Sequence, residues 1–241
     1  MRLALAALLL AGAVSSTVRA QQAVRPRPDI LQPGTDTLYQ YLIRGVDTAF
    51  VGTVVDVMER TTLNERAVIR RIYSGESRLS GASRDTLIDD ATTLRPVRSA
   101  SYSSRAIERV EYSHDRAVGW IHQPNGDSLR IDVPVPPQVY SASSFDMVLR
   151  ASELDDGWSA TVPAFVASSR VVVPMTARVI GEERIDDWEC WRVDAEFMGM
   201  PVTFWIERNS RRLCRQEMRP EAGISLLFTR RAPRAPRRGA T

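Results

Sequence analysis

Residues 190–208 read Cys190-Trp-Arg-Val-Asp-Ala-Glu-Phe-Met-Gly-Met-Pro-Val-Thr-Phe-Trp-Ile-Glu-Arg208. Trp191, Val193, Ala195 and Phe197 fall on one parity, and Arg192, Asp194 and Glu196 on the other. Beyond Met198-Gly199-Met200-Pro201, the apolar Val202, Phe204 and Ile206 alternate with Thr203, Trp205 and Glu207. A period of two places one face in a core and the other in water, which is the pattern of a β-strand. A short glycine-bearing turn between two such runs predicts an antiparallel hairpin.

The same period extends outward. Val171, Val173, Met175, Ala177 and Val179 share a parity, as do Leu129, Ile131, Val133 and Val135. Further strands are expected over Leu38–Arg44, Phe50–Met58, Ala67–Tyr73, Ile107–Ser113, Ala117–His122 and Ile224–Phe228. Pro124-Asn125-Gly126-Asp127 is a hairpin signal, because Asn-Gly accepts the positive φ of a type I′ turn. Arg208-Asn209-Ser210 is a second turn. One helix is expected over Ser143–Ala151, capped by Ser143 or Ser144, with Phe145, Val148 and Leu149 on one face. The expected fold is all-β and mainly antiparallel: a large curved sheet or half-open barrel with one or two short helices, since a sheet of ten or more strands curls.

The two ends differ from this body. Arg2, the apolar run Leu3–Val14 and Val18-Arg19-Ala20 have the layout of a signal peptide cut after Ala20. That run is too short to span a membrane, which needs ~20 apolar residues. The expected organisation is a signal peptide over 1–20, an extended lead-in over 21–36, one antiparallel β domain over 37–229 and a disordered arginine-rich tail over 230–241. The expected location is the periplasm or the exterior, with no transmembrane span once the signal is gone. Loss of Arg2 and Arg19 takes the formal charge from +3 to +1, and leaving out the five tail arginines brings the body to −4. The pI near 9.2 is therefore a property of the ends, and with export it gives no support to nucleic-acid binding. The tail can dock on an anionic envelope surface or remain a solvated end.

The residue inventory excludes several chemistries. The 44% hydrophobic and 25% charged residues describe an ordinary globular protein. All 32 basic residues are arginine, which removes Schiff-base, Ser-x-x-Lys and phosphate-loop lysines. No Gly-x-Ser-x-Gly elbow accompanies the many serines. His114 and His122 flank a turn and fall more than ~15 Å apart on facing strands, too far to share a metal. The acidic pairs Asp89-Asp90, Asp155-Asp156, Glu182-Glu183 and Asp186-Asp187 read as solvated turn charges, because adjacent strand residues point to opposite faces. No cofactor or metal is expected, and no enzymatic role.

Two sets of side chains stay open. Cys190 and Cys214 are an even pair in an exported chain, which favours a disulfide. They lie on the first and third strands of a meander, about 10 Å apart, which disfavours one unless a bulge or another sheet order intervenes. Trp191, Val193, Phe197, Val202, Phe204 and Ile206 either pack in a core or wall a groove for an apolar ligand.

The segment from Cys190 to Arg208 followed by Arg211-Arg-Leu-Cys-Arg-Gln-Glu217 resembles the closing strands of a family of exported bacterial proteins of unknown function. Thr92-Thr-Leu-Arg-Pro-Val-Arg-Ser99 and the Ser143–Ala151 helix fit the same family, over about residues 37–229. Its members look like distant relatives of the LolA/LolB lipoprotein carriers. The resemblance implies a curved sheet around a short helix, with a concave face able to hold a lipid or lipoprotein acyl chain. It carries over no catalytic residue, and no cysteine at the cut offers a lipid attachment point. The function expected is non-enzymatic binding of an apolar ligand or envelope component. The alternative is a structural or interaction protein of the envelope with no small-molecule ligand.

Overall fold

The computed structural model describes residues 24–231. The expected signal peptide and all but Arg230 and Arg231 of the expected tail lie outside the described residues. The strands are β1 (Gly34–Arg44), β2 (Asp47–Leu63), β3 (Arg66–Ser77), β4 (Gly81–Asp90), β5 (Pro96–Ser103), β6 (Ile107–Tyr112), β7 (Arg116–His122) and β8 (Ser128–Pro134). They continue as β9 (Tyr140–Ser141), β10 (Ser159–Val166), β11 (Val171–Ile185), β12 (Trp188–Phe197), β13 (Met200–Glu207), β14 (Leu213–Glu221) and β15 (Ile224–Thr229). Among the described residues one α-helix, α1 (Phe145–Arg150), follows β9.

These fifteen strands form one sheet in the order β8-β7-β6-β5-β4-β3-β2-β1-β15-β14-β13-β12-β11-β10-β9. Every neighbouring pair is antiparallel except β9–β10. The outer strands β8 and β9 do not pair with each other, so the barrel is open. Register shifts at Gln40/Tyr41, Ile88/Asp89, Val179/Gly181, Trp205/Ile206 and Met218/Glu221 bend the strands. Such bulges raise local twist and help a large sheet curl. The β12–β13 turn takes Met198 to φ 50° and Gly199 to φ 79°, the left-handed pair of a type I′ turn.

The curl encloses α1. Phe145, Val148 and Leu149 are buried as the spacing predicts, but so are Asp146, Met147 and Arg150. The helix is therefore buried on every side rather than half-solvated. The expected serine cap is not formed: neither Ser143 nor Ser144 caps the helix, and the Ser144 hydroxyl donates instead to Asp89 Oδ2 at 3.0 Å. The main core joins α1 to inner residues of β1, β2, β3 and β10–β14. A second core at the β6–β8 end takes Phe165 of β10, whose ring meets Tyr112 edge-on at 5.9 Å. This contact brings the two ends of the sheet together without a ladder. Ahead of β1, Leu31 is buried and the Arg27 N–H donates to the Ala151 carbonyl at 2.7 Å, so this lead-in packs on the body.

Besides the two-residue β9, three strands escape the sequence pattern. The inner positions of β4 are Ser83, Asp85, Leu87 and Asp89, and β5 is rich in serine. β10 buries the small residues Ala160 and Ala164 beside Val162. None of these shows the large-apolar alternation that marks a strand in sequence.

Candidate functional site

A cleft of about 390 Å3 lies between α1 and the concave face of the sheet. One wall comes from β11–β15 and is mostly apolar: Met175, Phe197, Met200, Val202, Phe204, Met218 and Phe228 line it, with Gln216 the polar exception. The facing wall comes from β2–β4 and is largely polar, with Arg71, Tyr73, Ser83 and Asp85 beside Val54 and Leu87. Phe145 and Asp146 of α1 form the floor. The volume falls at the lower end of the ~300–1,000 Å3 of small-molecule sites.

The floor rests on a buried ion network. Arg71, 3% exposed, donates from Nε to Asp56 Oδ1 at 2.8 Å and from Nη2 to Asp56 Oδ2 at 2.7 Å. Its Nη1 donates to Asp146 Oδ1 at 2.6 Å. Arg150 lies 3.7 Å from Asp146 Oδ2 and 3.9 Å from Asp56 Oδ2, and its Nε donates to the Arg211 carbonyl at 2.7 Å. Two arginines thus face two carboxylates away from water, and none of the four can be removed without leaving a buried charge unmatched. Burial by itself pushes Asp146 up, but Arg71 and Arg150 hold its carboxyl below its ordinary value.

Next to this network, Asp89 is fully buried and makes no ion pair among the described residues. Burial pushes it up to about 7, against the opposing pull of the Ser144 hydroxyl and Arg71. This overturns its reading as a solvated turn charge. Adjacent strand residues do point to opposite faces, and here Asp89 points inward. Its neighbour Asp90 points out, pairs with Arg66 and accepts from the Thr92 and Thr93 N–H groups. Burial also raises Tyr73 and Asp85 on the cleft wall.

Residues 39–223 match the model of a protein family of unknown function, DUF3108. The chain belongs to that family. No curated protein matches the chain in sequence. Among solved structures, a beta-barrel-like protein of domain of unknown function DUF1849 from Brucella abortus is similar. Its TM-score is 0.52 at 13% sequence identity, covering 86% of this chain and 97% of that one. At that identity the likeness shows a shared fold and nothing further.

Within this family architecture, the six expected wall residues divide. Phe197, Val202 and Phe204 line the cleft. Trp191, Val193 and Ile206 share their parity but lie beyond it, buried in the core. Arg208 stacks over the Trp191 ring at 4.9 Å. Sequence reading misses the whole polar wall and the methionines at 175, 200 and 218. A signal for the wall is nonetheless present: Asp56, Arg71 and Asp89 occupy the inward parity of three consecutive strands, flanked by Val54, Met58, Ile69 and Leu87.

On the outer face, Cys190 and Cys214 are both buried, with their sulfurs 2.6 Å apart. The expected separation of about 10 Å across a flat meander is not observed. The bulge at Trp205/Ile206 inserts Cys214 as an extra residue of β14 and brings it toward β12. Ile185, Trp188 and Trp205 pack around the pair. Arg230 sits over the Trp188 ring at 4.4 Å and pairs with Glu207 at 3.1 Å and Asp36 at 3.4 Å. His114 and His122 lie apart at the ends of β6 and β7, and no cluster of three metal-ligating side chains occurs among the described residues.

Proposed function

We propose that this chain is an exported, periplasmic protein that holds an apolar ligand, such as a lipid or lipoprotein acyl chain, in the cleft without reacting with it. The observation that carries the reading is the apolar wall of the cleft. Its methionines and phenylalanines face open space between sheet and helix, where a chain that merely closed its own core would have filled the gap. Methionine suits a wall that accommodates flexible chains, because its unbranched side chain repacks easily. The carrier role rests on the cleft alone, with a distant kinship of such exported proteins to the LolA/LolB carriers as part of the same proposal, and the layout of residues 1–20 supports export. No helix among the described residues is long and apolar enough to cross a membrane.

The test is native mass spectrometry of the chain purified from periplasm, with solvent extraction of bound material and uptake of dodecanol, dodecylamine and dodecanoate. A stoichiometric apolar species, native or added, is the expected result. A clean apo mass that takes up none of the three overturns the reading and leaves a protein-interaction role for the sheet and the arginine tail.

A further inference from the structure

The cleft does not end at its apolar wall. A smaller cavity of about 90 Å3 adjoins it, sharing Asp85, Leu87, Ala142 and Ser143 with it. This end is lined by Ser99, Ser101, Ser141, Ser168 and Glu108 beside Phe165, Val166 and Ala167, so polar side chains are concentrated here without excluding apolar ones. An apolar trough therefore leads into a more polar pocket, which is the shape of a site for an amphiphile.

The charges on these walls are unequal. Among the described residues, Arg71 is the one cationic side chain on either lining, against Asp85, Asp146 and Glu108. Arg71 is already held by both oxygens of Asp56 and by Asp146, so its guanidinium fork is closed to another bidentate anion. Asp85 and Glu108 form no ion pair among the described residues, and burial raises both, with Asp85 raising Glu108 further. Asp146, 8% exposed, keeps Oδ2 without a hydrogen-bond donor among the described residues. Buried acceptors lacking donors are costly and are met by whatever enters beside them.

Resting on the apolar-cleft reading, we propose that the occupant is an amphiphile whose polar end donates hydrogen bonds and carries no negative charge, seated against Asp85, Asp146 and Glu108. An ammonium head fits best, because it brings three donors and neutralises charge. A carboxylate or phosphate head would add a like charge beside Asp85 and Glu108, which form no ion pair among the described residues, in a partly desolvated pocket.

The probes are dodecylammonium, dodecanol and dodecanoate, each titrated calorimetrically against the full mature chain at pH 7.5 below its micelle concentration. Binding in that order of affinity is expected, with at least tenfold between the ammonium and the carboxylate. The D85N/E108Q double variant is expected to bring that ratio toward one. Equal or tighter binding of dodecanoate, or a ratio unchanged in the double variant, overturns the assignment of the polar end and leaves the apolar cleft standing. Failure of all three probes overturns the cleft reading itself. Should the double variant not fold, the ratio in the unaltered chain alone decides.

Discussion

The two walls of the cleft are made of the same element and obey opposite rules. Apart from Gln216, the β11–β15 wall sends apolar side chains inward, and β11–β13 set charged or polar ones between them, so those strands are legible alone. The β2–β4 wall sends Asp56, Arg71, Asp85 and Asp89 inward, where Arg71 is matched to Asp56 and Asp146 and Asp89 accepts from Ser144, each partner on another element. One wall is held by burial, which is additive and forgiving. The other is held by matched charge, which fails when one partner is lost.

The sharpest way to break this contrast is Arg71→Met. It leaves Asp56 and Asp146 facing each other in the core, and a loss of about 3–5 kcal/mol is expected in denaturant unfolding. A loss below about 1 kcal/mol would mean that the network contributes no more than surface charges do.

The next effect depends on pH. Asp89 is raised in the folded chain relative to its unfolded value, so the folded state binds more protons between about pH 4 and 7. Stability therefore falls as pH rises through that window and levels off above 7. The ceiling on this contribution is about 4 kcal/mol, at ~1.4 kcal/mol per pH unit across that window. Asp89→Asn is expected to flatten this slope and to stabilise the chain at pH 8, and an unchanged slope in thermal melts from pH 4.5 to 8 would refute it.

On the outer face, the cysteine pair gives a third measure. Chain isolated from an oxidising compartment is expected to resist alkylation at both cysteines when denatured without reductant. Reduction is expected to remove about 3 kcal/mol, the loop-closure contribution for a loop of this length. Full alkylation without reductant would show two free thiols.

The smallest effect on stability belongs to the apolar wall. Phe197 is only half-buried, so Phe197→Ala is expected to cost less than the ~3–5 kcal/mol of a buried aromatic. The same variant is expected to weaken dodecanol uptake several-fold. A stability loss as large as that of Arg71→Met would erase the distinction between the walls.

The same contrast separates what is legible in the sequence from what is not. Trp191, Val193, Phe197, Val202, Phe204 and Ile206 announce their strands and their shared inner face, because an apolar residue at every second position fits a half-buried strand and little else. Which of the six reach the cleft depends on where α1 lies against the sheet, and that is not a property of any one strand. Asp56, Arg71 and Asp146 lie in different segments, and the charges cancel only after the sheet curls. Read locally, each is an ordinary surface charge. Asp89 escapes local reading because its neighbour Asp90 makes the pair look like a turn. The cysteine separation escapes it because one inserted residue at Trp205/Ile206 changes a cross-sheet distance that the flat-sheet spacing alone does not give.

The pairing of β1 with β15 has a consequence for how the chain assembles. The other antiparallel ladders join strands consecutive in sequence, but this one sets Tyr39 against Thr229 in the middle of the sheet. Two meanders, β1–β8 and β10–β15, can zip up locally as hairpins, and their junction waits for the last strand to arrive. Loop-closure entropy makes such a distant pairing slow. Until then β1 offers a long unpaired edge, the kind of template that recruits other chains. A chain delivered N-terminus first carries that edge through its whole passage. Joining the present ends and reopening the chain between β8 and β9 would make every antiparallel ladder local, and such a permutant should fold faster to the same sheet.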